Sequence, residues 1–133
     1  MSEPKDLTTF FQAFADALTS GDRQAFGRFF KLPIGLLYPS GVVSVVETET
    51  LGTELCKVTE EIQTRHVASL VATPQKSKVR DGAFPVKVRY SMLSRHGKEI
   101  GDFTSDYYCE LQPDGTFLIT FASCEMLKLL EER

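Results

Sequence analysis

Residues 84–124 run FPVKVRYSMLSRHGKEIGDFTSDYYCELQPDGTFLITFASC. Two glycine-centred turns, His96-Gly97 and Asp114-Gly115, cut this run into β-type segments at about 84–94, 102–112 and 116–125. Glycine relieves the steric cost of positive φ, so such turns read as hairpins. A third turn, Asp81-Gly82, precedes them, behind a candidate strand at about 66–79. The four segments predict an antiparallel meander. Pro74 interrupts the earliest one and cannot donate to a ladder, which predicts a bulge or a sheet edge there.

The alternation within the segments assigns faces. Phe84, Val86, Val88, Tyr90 and Met92 point one way, against Lys87, Arg89 and Ser91. Phe117, Ile119 and Phe121 oppose Leu118, Thr120, Ala122 and Cys124, so the last strand is apolar on both faces. A strand covered on both sides has that pattern. Helices account for one cover. A second subunit, or the tail residues Met126, Leu127, Leu129 and Leu130, accounts for the other, because large bare apolar patches are uncommon on monomers. A symmetric homodimer through the sheet is the expected arrangement.

The helices lie upstream. Leu7, Phe10, Phe11, Phe14 and Leu18 fall at helical spacing, with Asp6 placed to cap the start and Gly21 to end the helix. Asp22 caps a second, shorter helix that carries Phe26, Phe29 and Phe30, and Pro33 limits its extension. Two short helices cannot cover each other's aromatic stripes, and a sheet is the natural counterpart. Ile34–Tyr38 and Val42–Val46, around Pro39-Ser40-Gly41, form a candidate hairpin. Leu51, Leu55, Val58 and Ile62 place a third helix over 50–64, with Glu61 and Arg65 as an i, i+4 pair on its exposed side.

The chain of 133 residues fits one domain, 1–133. Its 42% hydrophobic and 25% charged residues are ordinary globular values. With a formal net charge of -3 and no basic cluster, it offers nucleic acid and anionic membranes no electrostatic footprint. No apolar run approaches the roughly 20 residues of a membrane span. The polar N-terminus lacks a signal-peptide core, which points to the cytoplasm. Cys56, Cys109 and Cys124 read as small buried apolar residues rather than a disulfide set.

This order of elements resembles the nuclear-transport-factor-2-like superfamily, also called SnoaL-like or cystatin-like. The resemblance covers nearly the whole chain. It rests on Phe10-Phe11-Gln12-Ala13-Phe14, Ser20-Gly21-Asp22, Phe29-Phe30-Lys31-Leu32-Pro33 and the stretch from Gln112 to Ile119, where Phe117 stands in a place the family often gives to Trp. It implies an α+β fold in which three N-terminal helices pack in a curved antiparallel meander sheet around an apolar pocket. A homodimer is frequent in that superfamily. It implies no single activity, since the fold serves isomerases, dehydratases, cyclases and non-catalytic binding proteins alike.

Motifs for phosphate loops, nucleophile elbows and zinc sites are missing from the sequence, and no metal or organic cofactor is expected. A steroid-isomerase-like member has an aspartate on its first strand; the matching stretch, Ile34–Tyr38, has no carboxylate. The leading expectation is therefore a small-molecule-binding protein. Its ligand, a small apolar or aromatic molecule, would lie among Phe14, Phe30, Tyr38, Tyr90 and Tyr107. A cofactor-independent isomerase, dehydratase or cyclase is the alternative. Asp106 or His66 would be its base, with Tyr38 or Tyr107 as hydrogen-bond donor. Asp106 is unusual in mid-strand, but Asp102 and Glu110 share its face, and three carboxylates together also describe a solvated surface. Arg89 is expected in a surface or interface ion pair. A protein-interaction or accessory subunit is the third reading.

Overall fold

The computed structural model of the chain describes residues 6–38, 40–75 and 82–124, with Cys124 described by its backbone alone. Pro39, the 76–79 end of the first candidate strand, Asp81 and the tail residues 125–133, all invoked above, lie outside that range, as does the burial expected of Cys124.

Helix α1 spans Leu7–Ser20. The Asp6 carboxylate accepts from the Thr9 N–H at 2.7 Å, and Gly21 closes the helix at φ 72°. Both ends follow the sequence reading. Helix α2 is only Arg23–Phe26, capped by Asp22. Here the expectation needs correction, because Phe29 lies beyond the helix and Phe30 opens strand β1, Phe30–Tyr38. Gly27 is a poor helix former. Beyond it the Phe29 carbonyl accepts from the Ile119 N–H at 2.7 Å, so sheet pairing claims the backbone that a longer helix would need. Pro33 accordingly lies inside β1, after a cis Leu32–Pro33 bond.

Strand β2, Gly41–Val45, completes the expected hairpin with β1. Helix α3 is Thr48–Thr64. Its Glu61–Arg65 pair forms at 3.0 Å, although Glu61 is buried rather than on an exposed side. The meander follows as β3, Ser69–Pro74; β4, Ala83–Leu93; β5, Glu99–Leu111; and β6, Phe117–Cys124. Gly82, Gly97 and Gly115 all have positive φ, at 78°, 80° and 89°. Pro74 ends an edge strand.

All six strands join one sheet in the order β2-β1-β6-β5-β4-β3. The meander is antiparallel as expected, but β1 lies parallel to β6, so the sheet is mixed. In β6 the pairs Cys109–Ile119 and Tyr108–Phe121 leave Thr120 as an extra residue. Such a bulge reverses the side-chain parity beyond it. Phe117 and Ile119 face the helices, as does Ala122, whereas Phe121 turns to the outer face. The strict alternation that grouped Phe121 with Phe117 and Ile119 therefore fails at that point.

The core lies between the inner sheet face and the helices. Phe11 rests on Tyr107 with ring centroids 4.9 Å apart, and Phe10 meets Phe117 at 5.9 Å. Gln12 of α1 reaches the β3 edge, donating to the Leu70 carbonyl and accepting from the Ala72 N–H, each at 2.9 Å. Thr59 donates to the Leu18 carbonyl at 2.6 Å and ties α3 to α1. No helix among the described residues is long and apolar enough to cross a membrane.

Candidate functional site

The helix-facing row of β5 is Phe103, Ser105, Tyr107 and Cys109, all buried. Against Phe103, Ser105 and Tyr107 lies a small cavity of about 30 Å³, closed by Phe14 of α1, Phe30 and Leu36 of β1, and Leu55 and Val58 of α3. The rings around it are set edge to face: Phe14 meets Phe30 at 5.5 Å and Tyr107 at 6.3 Å. That geometry suits the aromatic quadrupole. The volume is room for one or two waters.

Ser105 is the singular group here. It is 0% exposed, and its hydroxyl has no hydrogen-bond partner among the described residues. A buried hydroxyl left unpaired costs about 1–3 kcal/mol. Nearby, the Tyr90 and Tyr107 hydroxyls bond to each other at 2.8 Å, and the Tyr90 ring stacks on Phe103 at 4.9 Å.

Of the five ligand-contacting residues expected from sequence, Phe14, Phe30 and Tyr107 line the cavity. Tyr90 stands behind Tyr107 as its hydrogen-bond partner. Tyr38 lies two residues beyond Leu36 on the same side of β1 but outside the cavity lining, and its hydroxyl donates to Glu54 Oε1. Lys57 holds the other Glu54 oxygen at 3.0 Å. Partial burial pushes the Glu54 carboxyl up, but the Tyr38 and Lys57 hydrogen bonds outweigh it, and the group titrates below its ordinary range. Glu54 escapes sequence reading because nothing local pairs α3 with β1. Ser105 was legible only as a small polar residue in an otherwise apolar register.

The two candidate bases stand elsewhere. Asp106 points to the outer face with its side chain 63% exposed, 3.8 Å from Lys87 Nζ. It borders an open groove of about 400 Å³ with Gln75, Pro85, Lys87, Tyr108 and Phe121. Asp102 and Glu110 share that face and pair with Arg89 and Lys31. Arg89 also reaches Glu99 and Ser91, which makes it the hub of a surface network. His66 follows α3 at φ 61° and is exposed. Neither Asp106 nor His66 is among the described residues lining the inner cavity. Burial pushes the Cys109 thiol up to about 12, so it is a neutral core group at physiological pH.

No family profile and no curated protein matches the chain. Solved structures do. A protein of unknown function with a cystatin-like fold from Nostoc punctiforme superposes with a TM-score of 0.59 at 10% identity, over 87% of this chain and 84% of that one. A nuclear-transport-factor-2-like superfamily protein from Salmonella enterica gives 0.56 at 8% identity, over 90% and 87%. A nuclear-transport-factor-2-like protein from Cytophaga hutchinsonii gives 0.54 at 16% identity, over 93% and 98%. At such identities the likeness establishes the fold: helices packed against a curved sheet, as in the nuclear-transport-factor-2-like cone.

Proposed function

We propose that this nuclear-transport-factor-2-like cone binds one small apolar or aromatic molecule in the cavity between α1, α3 and β5. The observation that carries the reading is Ser105, a fully buried hydroxyl without a described partner in an otherwise apolar wall. An alanine there would avoid the desolvation cost altogether. The hydroxyl gains its bond from a water held in the space beside the ligand.

The resting volume of about 30 Å³ is below the roughly 150 Å³ of a cavity that takes benzene. Binding therefore needs the Phe14 and Phe30 rings to turn and α3 to yield, which limits the ligand to a single ring or a short chain. A base inside the cavity would favour turnover, but Asp106 and His66 both lie outside it. Binding without catalysis is the simpler reading. Unpaired Cys56 and Cys109 suit a reducing compartment such as the cytoplasm. The apolar half of the outer face, around Leu37, Tyr108 and Phe121, is read as the seat of a second copy.

Amide chemical-shift titration with toluene tests the cavity. Saturable shifts are expected around Phe14, Ser105 and Tyr107, with Ala122→Leu, which fills the space, abolishing them in a protein that remains folded by circular dichroism. Toluene shifts that survive Ala122→Leu, or none in the parent protein, would reject the reading.

A further inference from the structure

Outside the residues that line the cavity, a polar pair bridges the two elements that supply its walls. Tyr38 continues the strand side that Leu36 presents to the cavity, and Glu54 adjoins Leu55 on α3 and lies one turn before Val58. The Tyr38–Glu54 hydrogen bond therefore joins sheet to helix, two residues beyond Leu36 on one side and one residue before Leu55 on the other. Elsewhere α3 is fastened to other helices, through Thr59 to α1 and through Thr53 to Arg23 of α2.

We propose that Tyr38 and Glu54 receive the hydroxyl of the ligand, and that the ligand is a small neutral alcohol or phenol which enters with its apolar body foremost. The inference rests on the cavity reading above and adds the ligand's chemical class.

Charge selects this class. Glu54 and Lys57 form an ion pair at 3.0 Å, so the station is neutral as a whole. A ligand carboxylate would lie beside the Glu54 carboxylate and be repelled, and a ligand ammonium would compete with Lys57 for the oxygens it already holds. A hydroxyl fits without disturbing either charge. It donates to Glu54 Oε1 in place of Tyr38, while Tyr38 turns its own proton onto the ligand oxygen. One hydrogen bond is exchanged for two, and Lys57 keeps Oε2 throughout.

A site arranged around a hydroxyl discriminates against the analogue that lacks it. Phenol and toluene have nearly the same shape and differ at that group. The expected result is that Tyr38→Phe and Glu54→Gln each weaken phenol binding about tenfold, by calorimetry or chemical-shift titration, while toluene affinity stays within about twofold. An equal loss for both compounds would show a merely structural role and overturn the inference while sparing the cavity. The inference is likewise overturned if Ser105→Ala, rather than Tyr38→Phe and Glu54→Gln, removes the phenol response, or if no variant changes it. If neither compound binds the parent protein, the cavity reading falls and takes this one with it.

Discussion

Ser105 and Cys109 share the helix-facing row of β5, one on each side of Tyr107, and burial acts on them in opposite ways. For Cys109 burial favours the neutral thiol, which is stable there; that contribution is complete below pH 9.0 and is lost as pH rises towards 12. For Ser105 the same burial strips a hydroxyl of water and returns nothing from the described residues. Ser105→Ala removes the desolvation cost and little packing. Urea unfolding of the ligand-free protein should show the variant as stable as the parent, or more stable by about 1 kcal/mol. A loss of about 2 kcal/mol would mean that the hydroxyl is satisfied in solution. The Tyr90–Tyr107 pair illustrates the ordinary solution to the same problem, two buried hydroxyls that bond to each other.

Among elements, the edge strand β3 shows how α1 does more than cover the core. An edge leaves backbone donors and acceptors open to pairing with other chains. The Gln12 carboxamide occupies one of each, at Leu70 and Ala72. Gln12→Ala should cost about 1–3 kcal/mol in chemical unfolding and speed amide exchange at Ala72, whereas a solvent-facing change such as Thr8→Ala should do neither. The aromatic stripe of α1, the apolar face of α3 and the alternation of β4 were all legible because each follows its own period over ten residues or more. What escaped reading was non-local. The parallel pairing of β1 with β6 shortens α2 and draws Phe30 into a strand, and the Thr120 bulge turns Phe121 outward. Gly35 is the cryptic trace of that second event. A Cβ there would come within 2.9 Å of the Phe121 ring, so the glycine makes room for an aromatic that periodicity alone puts inside. Of the site, the aromatic walls were readable, but Glu54 was not, since its partner Tyr38 depends on how helix and strand meet in space.

Across the whole molecule, the two sheet faces are unequally covered. Helices bury the inner face, while the outer face combines a charged half, organised by Arg89, with an apolar half where Phe121 lies over Gly35 and meets Tyr108 at 6.2 Å. Leu37 and Val42, paired across β1 and β2, extend that half toward the β2 edge, and Tyr108 is 47% exposed. A stable homodimer needs about 800 Å² from each partner with an apolar centre and a polar rim. A face whose apolar centre is bordered by Lys87, Asp106 and Arg89 has that composition. An isologous pairing whose two-fold axis passes through this half would place each copy's aromatic pair against its twin. Light scattering behind size exclusion should give twice the mass of one chain at micromolar concentration. Tyr108→Lys should reduce it to the mass of one chain, because it places a charge in the interface centre without touching the helix-facing core. A parent protein that runs as a monomer at about 100 micromolar would overturn the pairing. A variant that stays dimeric would move the interface off this half of the sheet, toward the β2 edge.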